Sequence, residues 1–252
     1  MNSPKPPLRL RKGGPVLTSL TAYDYPTARL LDEAGIELIL VGDSLGMVVA
    51  GLPDTTKVTL SQMEYHTSIV ARAVRHAVII GDLPWGTYAT PEAAVNSAQR
   101  LMDAGAHGVK LEGGTEQLPQ IRAIIAAGIP FLGHIGMLPQ QVLEEGGYKK
   151  KGKSEAEAKR LLQSALDLDA AGAIGMVLES VVPSVAATIT QAIGIPTIGI
   201  GSGSQCDGQI RVVHDIIGAF PWFRPPFAQP HADVAGAISQ AAKAYINEVR
   251  GH

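Results

Sequence analysis

Gly108-Val109-Lys110-Leu111-Glu112-Gly113-Gly114 is a short apolar stretch that carries two charges two residues apart and stops at a glycine pair. Alternate side chains of a strand share a face, so an extended reading points Lys110 and Glu112 the same way. The residues before it, Met102-Asp103-Ala104-Gly105-Ala106-His107, read as a helix closing at a glycine. A helix feeding an apolar strand is the repeating unit of parallel sheets, and it places Glu112 at the carboxyl end of a strand.

Outward from this stretch the unit recurs. Asp32-Glu33-Ala34-Gly35 leads through an apolar run to Asp43, Asp169-Ala170-Ala171-Gly172 leads to Glu179, and Ala77-Val78-Ile79-Ile80-Gly81 ends at Asp82. One strand-end carboxylate can be a helix cap, but four placed alike imply a shared site, because such sheets bind ligands at the carboxyl ends of their strands. Further strands are expected at Val16–Leu20, Pro130–Gly136, Pro196–Ile200 and Gln209–Val213.

Helices are expected over about 26–34, 61–76, from Thr90-Pro91, over 115–127, 154–171, 183–193 and 232–249. Ser61 with Glu64 and Ser154 with Glu157 have capping-box spacing. The stretches 45–61 and 137–153 read as long connections, the second holding the basic loop Lys149-Lys150-Lys151-Gly152-Lys153. Eight strands alternating with helices in 252 residues predict an α/β fold, a single-domain (β/α)8 TIM barrel over 15–252 preceded by a lead-in over 1–14. The runner-up, an open doubly wound sheet, lacks a Gly-x-Gly-x-x-Gly signature at its first helix.

Composition sets bounds. With 46% hydrophobic and 17% charged residues the chain can bury a large core, and a formal charge of −2 offers no field for nucleic acid. Cys206 is the single cysteine, so no internal disulfide forms; it reads as a filler residue in a chain expected to be cytoplasmic. No apolar run approaches the roughly 20 residues that cross a bilayer, and Met1-Asn2-Ser3-Pro4-Lys5-Pro6-Pro7 lacks the apolar core of a signal peptide, so no membrane partner is expected.

Several segments together resemble the ketopantoate (3-methyl-2-oxobutanoate) hydroxymethyltransferase family: Thr21-Ala22-Tyr23-Asp24, Val41-Gly42-Asp43-Ser44-Leu45-Gly46-Met47, Gly81-Asp82-Leu83-Pro84, Val109–Gly114, Gly133-His134-Ile135-Gly136, Gly146-Gly147-Tyr148, and Ile198–Gly203 with Asp207-Gly208-Gln209. The resemblance implies a barrel that uses Mg²⁺, one per subunit, and 5,10-methylenetetrahydrofolate as co-substrate to hydroxymethylate 3-methyl-2-oxobutanoate, giving 2-dehydropantoate on the pantothenate and coenzyme A route. It also implies a ring-like homo-oligomer, commonly a decamer. Two departures from the family pattern, Arg211 in the last strand and the stretch Pro221–Pro230, bear on barrel closure and subunit contacts.

Asp43, Asp82 and Glu112 end neighbouring strands, and three oxygen donors with room for water suit Mg²⁺. The family pattern places its metal contacts there; each residue could instead cap the following helix. Lys110, facing inward with Glu112, is expected to hold the keto acid's carboxylate or enolate oxygen, with a structural ion pair or a Schiff base as alternatives. Glu179, at the end of strand six, is expected to be the base that takes the C3 proton, if apolar surroundings raise its pKa; it could also be a cap. Ser44 can offer its hydroxyl or backbone N–H to the substrate or shape a turn. His134 either reaches the ligand or is a hydrogen-bonded core histidine.

Gly199, Gly201 and Gly203 allow close approach of backbone to a ligand or serve the barrel rim, and the lysines of 149–153 meet the glutamate tail of the folate or are simply solvated. The rival functions are a metal-dependent lyase or mutase acting on another 2-oxo acid without folate, and a non-catalytic barrel that binds a small acid.

Overall fold

The computed structural model describes residues 10–144 and 146–251. Of the expected lead-in over 1–14, residues 1–9 lie outside the described residues, and residues 12–13 form a turn. The chain divides into two compact units, Met1–Ile210 and Arg211–His252.

The first unit carries the barrel. Strands β1 (Leu17–Thr21), β2 (Leu38–Val41), β3 (Val78–Asp82), β4 (Gly108–Lys110), β5 (Phe131–Gly136), β6 (Gly175–Glu179), β7 (Thr197–Ile200) and β8 (Gly208–Arg211) form a closed barrel in chain order. The ladders are parallel. Leu38, Leu40, Ile80, Leu132, Val177, Ile198 and Ile210 form a buried cluster contributed by six of these strands, with Leu10 from the lead-in packed against it. Arg211, the residue that departs from the family pattern, is the last of β8 and does not prevent closure.

Helices α1 (Tyr25–Glu33), α3 (Leu60–Ala73), α4 (Pro91–Asp103), α5 (Leu118–Ala126), α6 (Glu155–Ala171) and α7 (Pro183–Ala192) alternate with the strands, and a short α2 (Leu45–Val48) opens the connection after β2. Local chemistry sets their ends. Thr90 accepts from the N–H of Ala93 while Pro91 takes a position that needs no donor, and Gly172 closes α6 at φ 95°, a conformation a side chain would strain.

Two capping expectations are corrected. The capping box of α3 is Thr59 with Gln62, two residues ahead of the expected Ser61 with Glu64. Ser154 caps α6, but Glu157 turns away from a reciprocal bond to accept the N–H groups of Gly152 and Lys153 at 2.7 and 3.0 Å. The connection from β7 to β8, residues 201–207, contains no helix. His134 lies within β5, two residues before its end.

The second unit contains α8 (Val213–Ile216) and α9 (Val234–Arg250), with Asp233 capping α9 through the N–H of Gly236. Arg211 lies over the ring of Phe227, 5.5 Å from its centroid. No residue along α9 is buried, and Ile238, Tyr245, Ile246 and Val249 are exposed on it. No described helix is long and apolar enough to cross a membrane.

Candidate active site

Strand register assembles the site. Asp82, the last residue of β3, pairs with Lys110, the last of β4, so two side chains of opposite charge leave adjacent strands on one side of the sheet. Lys110 Nζ donates to Asp82 Oδ1 at 2.7 Å, and Glu112 Oε1 lies 4.0 Å from the same nitrogen. The period-two expectation that Lys110 and Glu112 face one way therefore holds, although the ladder stops at Lys110 and Glu112 stands two residues beyond it.

Asp43, two residues past β2, donates its backbone N–H to Asp82 Oδ2 at 3.3 Å. Glu179 ends β6 beside Gly136, whose φ of 109° lets its backbone pass so close that a Cβ there would stand 2.3 Å from the Glu179 carbonyl oxygen. The backbone N–H of Met137 donates to that same carbonyl at 2.8 Å. Ser180, immediately after the carboxylate, holds φ 48°, a left-handed conformation that costs a non-glycine residue energy.

His134 stands between two acids. Its Nε2 is 3.3 Å from Glu179 Oε2 and its Nδ1 is 3.6 Å from Glu112 Oε1. Burial, together with the Lys110 charge, holds its pKa well below the ordinary histidine value, so the ring is neutral. Ser44 opens α2 without capping it and shares a 2.8 Å hydrogen bond with the hydroxyl of Tyr23. The Tyr148 hydroxyl reaches the sulfur of Met47 at 3.7 Å.

Electrostatics make this a strained acidic pocket. Asp43, Asp82 and Glu112 are each 5% exposed or less. Burial and then the Asp82 charge push Asp43 up to about 7, and burial pushes Glu179 up to about 7 against the pull of Lys110. Burial likewise raises Glu112 well above the carboxylate range, although Lys110 opposes it. Burial disfavours the Lys110 ammonium, yet the carboxylates of Asp82, Glu112 and Asp43 outweigh it and raise its pKa.

Two residues that sequence reasoning missed complete the site. Gln140, in the short helical turn Pro139–Gln141 after β5, donates its side-chain amide to Asp43 Oδ2 at 2.8 Å and to the Leu83 carbonyl at 3.0 Å. Its backbone N–H donates to Glu112 Oε2 at 3.0 Å. Buried Tyr88 donates to Gln140 Oε1 at 2.6 Å. Nothing in Pro139-Gln140-Gln141 separates the first glutamine from the second, so only the fold singles it out.

Among the described residues no group of three or more His, Cys, Asp or Glu side chains is gathered as a metal-binding cluster. Lys110 holds Asp82, and Gln140 holds both Asp43 and Glu112. The donor set nevertheless fits a hard divalent cation. It is all oxygen, Glu112 Oε1 is buried without a hydrogen-bond partner, and the Asp43, Asp82, Glu112 and Glu179 carboxyls are set against the single charge of Lys110.

The ketopantoate hydroxymethyltransferase family model matches residues 8–252. The chain belongs to this family. A 3-methyl-2-oxobutanoate hydroxymethyltransferase of Ignicoccus hospitalis is 50% identical over 240 residues, covering 95% of this chain and 91% of the relative. One of Pyrobaculum neutrophilum is 51% identical over 245 residues, covering 96% and 93%.

Solved structures extend the likeness of this ketopantoate hydroxymethyltransferase family member in fold alone. Phosphoenolpyruvate phosphomutase of Streptomyces platensis superposes with a TM-score of 0.67 at 16% identity, covering 94% of this chain and 84% of that one. Phosphonopyruvate hydrolase superposes with a TM-score of 0.64 at 14% identity, covering 94% and 83%.

Proposed function

We propose that this protein transfers a hydroxymethyl group from 5,10-methylenetetrahydrofolate to 3-methyl-2-oxobutanoate, giving 2-dehydropantoate for pantothenate biosynthesis in the cytoplasm. The observation that carries the reading is a partly buried carboxyl base, Glu179, facing a buried acid–lysine cluster on a barrel whose relatives are half identical over nearly their full length.

Asp43, Asp82 and Glu112 would hold Mg²⁺, directly or through water. When bound, the metal supplies a Lewis acid for the negative charge that develops on the keto oxygen as C3 loses its proton. Lys110, a fixed cation at the floor of the site, binds the carboxylate or the keto oxygen and stabilises the same charge. Ser44, with its hydroxyl turned to Tyr23 rather than to a cap, offers a donor to the substrate carboxylate.

Glu179 removes the proton from C3. A pKa of about 7 leaves much of it ionised at neutral pH while keeping it basic enough to accept that proton. His134, neutral and within 3.3 Å of Glu179 Oε2, has one ring N–H to offer the base or the substrate once the site fills. The methylene carbon of the folate gives up its bond to N10, which takes a proton, and the enolate carbon bonds to the resulting iminium carbon. Water then replaces N5 at that carbon, its oxygen becoming the hydroxyl and one of its protons going to N5, so that tetrahydrofolate leaves.

The exposed lysines Lys149, Lys150 and Lys153 stand on the basic loop proposed to meet the folate's glutamate tail. The exposed apolar side chains of α9 support association into a homo-oligomer, a decamer on the family reading, which sedimentation velocity tests directly. The chemical reading is tested by incubating the protein with Mg²⁺, the keto acid and methylenetetrahydrofolate. Equal amounts of 2-dehydropantoate and tetrahydrofolate are expected, whereas cleavage of the keto acid without folate would identify a lyase instead.

A further inference from the structure

Gln140 uses its amide and backbone donors on three groups at once, Asp43, Glu112 and the Leu83 carbonyl, and accepts from a fourth, the Tyr88 hydroxyl. Its amide orientation is fixed by chemistry. The Leu83 carbonyl can only accept, so the atom 3.0 Å from it is Nε2, and the opposite atom, Oε1, receives the Tyr88 hydroxyl. With that orientation locked, the second hydrogen of Nε2 points to Asp43 Oδ2. The backbone N–H of the same residue takes Glu112 Oε2, while Glu112 Oε1 has no partner. Gln140 is 2% exposed and Tyr88 4%, so water does not compete for these bonds.

We propose that Gln140, locked by Tyr88, is a positioning residue: it occupies one oxygen of Asp43 and one of Glu112, and thereby turns the other oxygen of each toward the cation and the keto acid. The inference rests on the reading of Asp43, Asp82 and Glu112 as cation holders. Without the side-chain amide, Asp43 loses the bond that fixes its rotation and can turn to its neighbours, and Glu112 keeps only a backbone donor whose position the Tyr88–Gln140–Leu83 contacts no longer hold. With it, one short segment after β5 registers acids carried by the ends of β2 and β4. Partners that hold metal-binding carboxylates in this way change affinity or activity by about 10- to 100-fold when removed.

The test uses full-length protein with Mn²⁺ as an electron-spin-resonance probe, without keto acid or folate. Gln140→Met keeps the length of the side chain and removes its donors and acceptor, and Tyr88→Phe removes only the hydroxyl. Gln140→Met is expected to weaken Mn²⁺ binding by about tenfold or more and to lower kcat with little change in the folate KM. Tyr88→Phe is expected to weaken both in the same direction by a few-fold, because the amide is then free to rotate. A role confined to stability would lower the melting temperature and leave the Mn²⁺ affinity of the folded protein unchanged.

Folded Gln140→Met that binds Mn²⁺ within twofold of wild type overturns the inference. If Gln140→Met does not fold, Tyr88→Phe decides, and an unchanged affinity and kcat overturn it equally. Wild-type protein that binds no Mn²⁺ removes the cation reading beneath it, an outcome distinct from equal binding by wild type and variants.

Discussion

Replacing Glu179 with glutamine keeps the side chain's shape and removes one largely desolvated titration. In the folded protein burial raises this carboxyl from about 4.5 to about 7, whereas the unfolded chain titrates it at the ordinary value. Between those two values the folded state holds a proton that the unfolded state has released, so wild-type stability falls as pH rises through the window. Below it both states are protonated and nothing is lost; above it the full cost is present. At about 1.4 kcal/mol per pH unit, the full cost is at most about 3.5 kcal/mol, of which about 2.5 kcal/mol develops between pH 5 and pH 8. Glu179→Gln carries none of it. Urea unfolding of wild type and variant in EDTA, at pH 5 and pH 8, reads the difference. The variant is expected to gain on wild type by about 2–3 kcal/mol on going to pH 8. An equal stability difference at both pH values would refute burial as the cause of the raised pKa.

Four further outcomes follow. The kcat/KM of the wild type is expected to rise with pH through about 7, as Glu179 ionises, in initial-rate assays from pH 5.5 to 9. Lys110→Met leaves Asp82 without its 2.7 Å partner in a buried site; a loss of about 3–5 kcal/mol near pH 8 is expected in urea titrations, shrinking at acid pH as the carboxylates protonate. Mg²⁺ at a hundred times its Kd should stabilise EDTA-treated wild type by about 2.7 kcal/mol in thermal melts, and should not stabilise Asp43→Asn/Asp82→Asn. Away from the site, Asp32 accepts the N–H groups of Arg75, His76 and Ala77 at 2.9, 3.0 and 2.7 Å. Asp32→Ala is expected to cost about 1–2 kcal/mol, present above the ordinary aspartate pKa and fading as the wild-type carboxylate protonates in acid.

Much of this geometry is legible in the chain because two periods carry it. Period two puts Lys110 and Glu112 on one face, and the repeat of helix, glycine, apolar run and carboxylate brings Asp43, Asp82, Glu112 and Glu179 to the same end of a closed barrel. What escapes the sequence is tertiary. Gln140 and Tyr88 lie in connections with no periodicity, and their roles exist only because the turn after β5 crosses the ends of β2 and β4. Thr59 displaces Ser61 as the cap of α3 because Gln62, not Glu64, reaches back to the helix start, a choice between two spacings that look alike on paper. The connection after β7, where the sequence offers no helix signal, is helix-free as read. Gly201-Ser202-Gly203 marks a turn, and only the packed strands reveal that Ser202 then accepts the N–H of Val181 at 2.9 Å and donates to Leu178 at 2.7 Å in place of a crossover helix.

The most direct test of the account is deuterium exchange at C3 of 3-methyl-2-oxobutanoate, followed by proton NMR with Mg²⁺ and tetrahydrofolate present and no one-carbon unit to transfer. Exchange in the wild type that vanishes in Glu179→Gln is the predicted result. Exchange that persists unchanged in Glu179→Gln, or is absent from the wild type, would contradict proton removal by this residue as the step the site is built to perform.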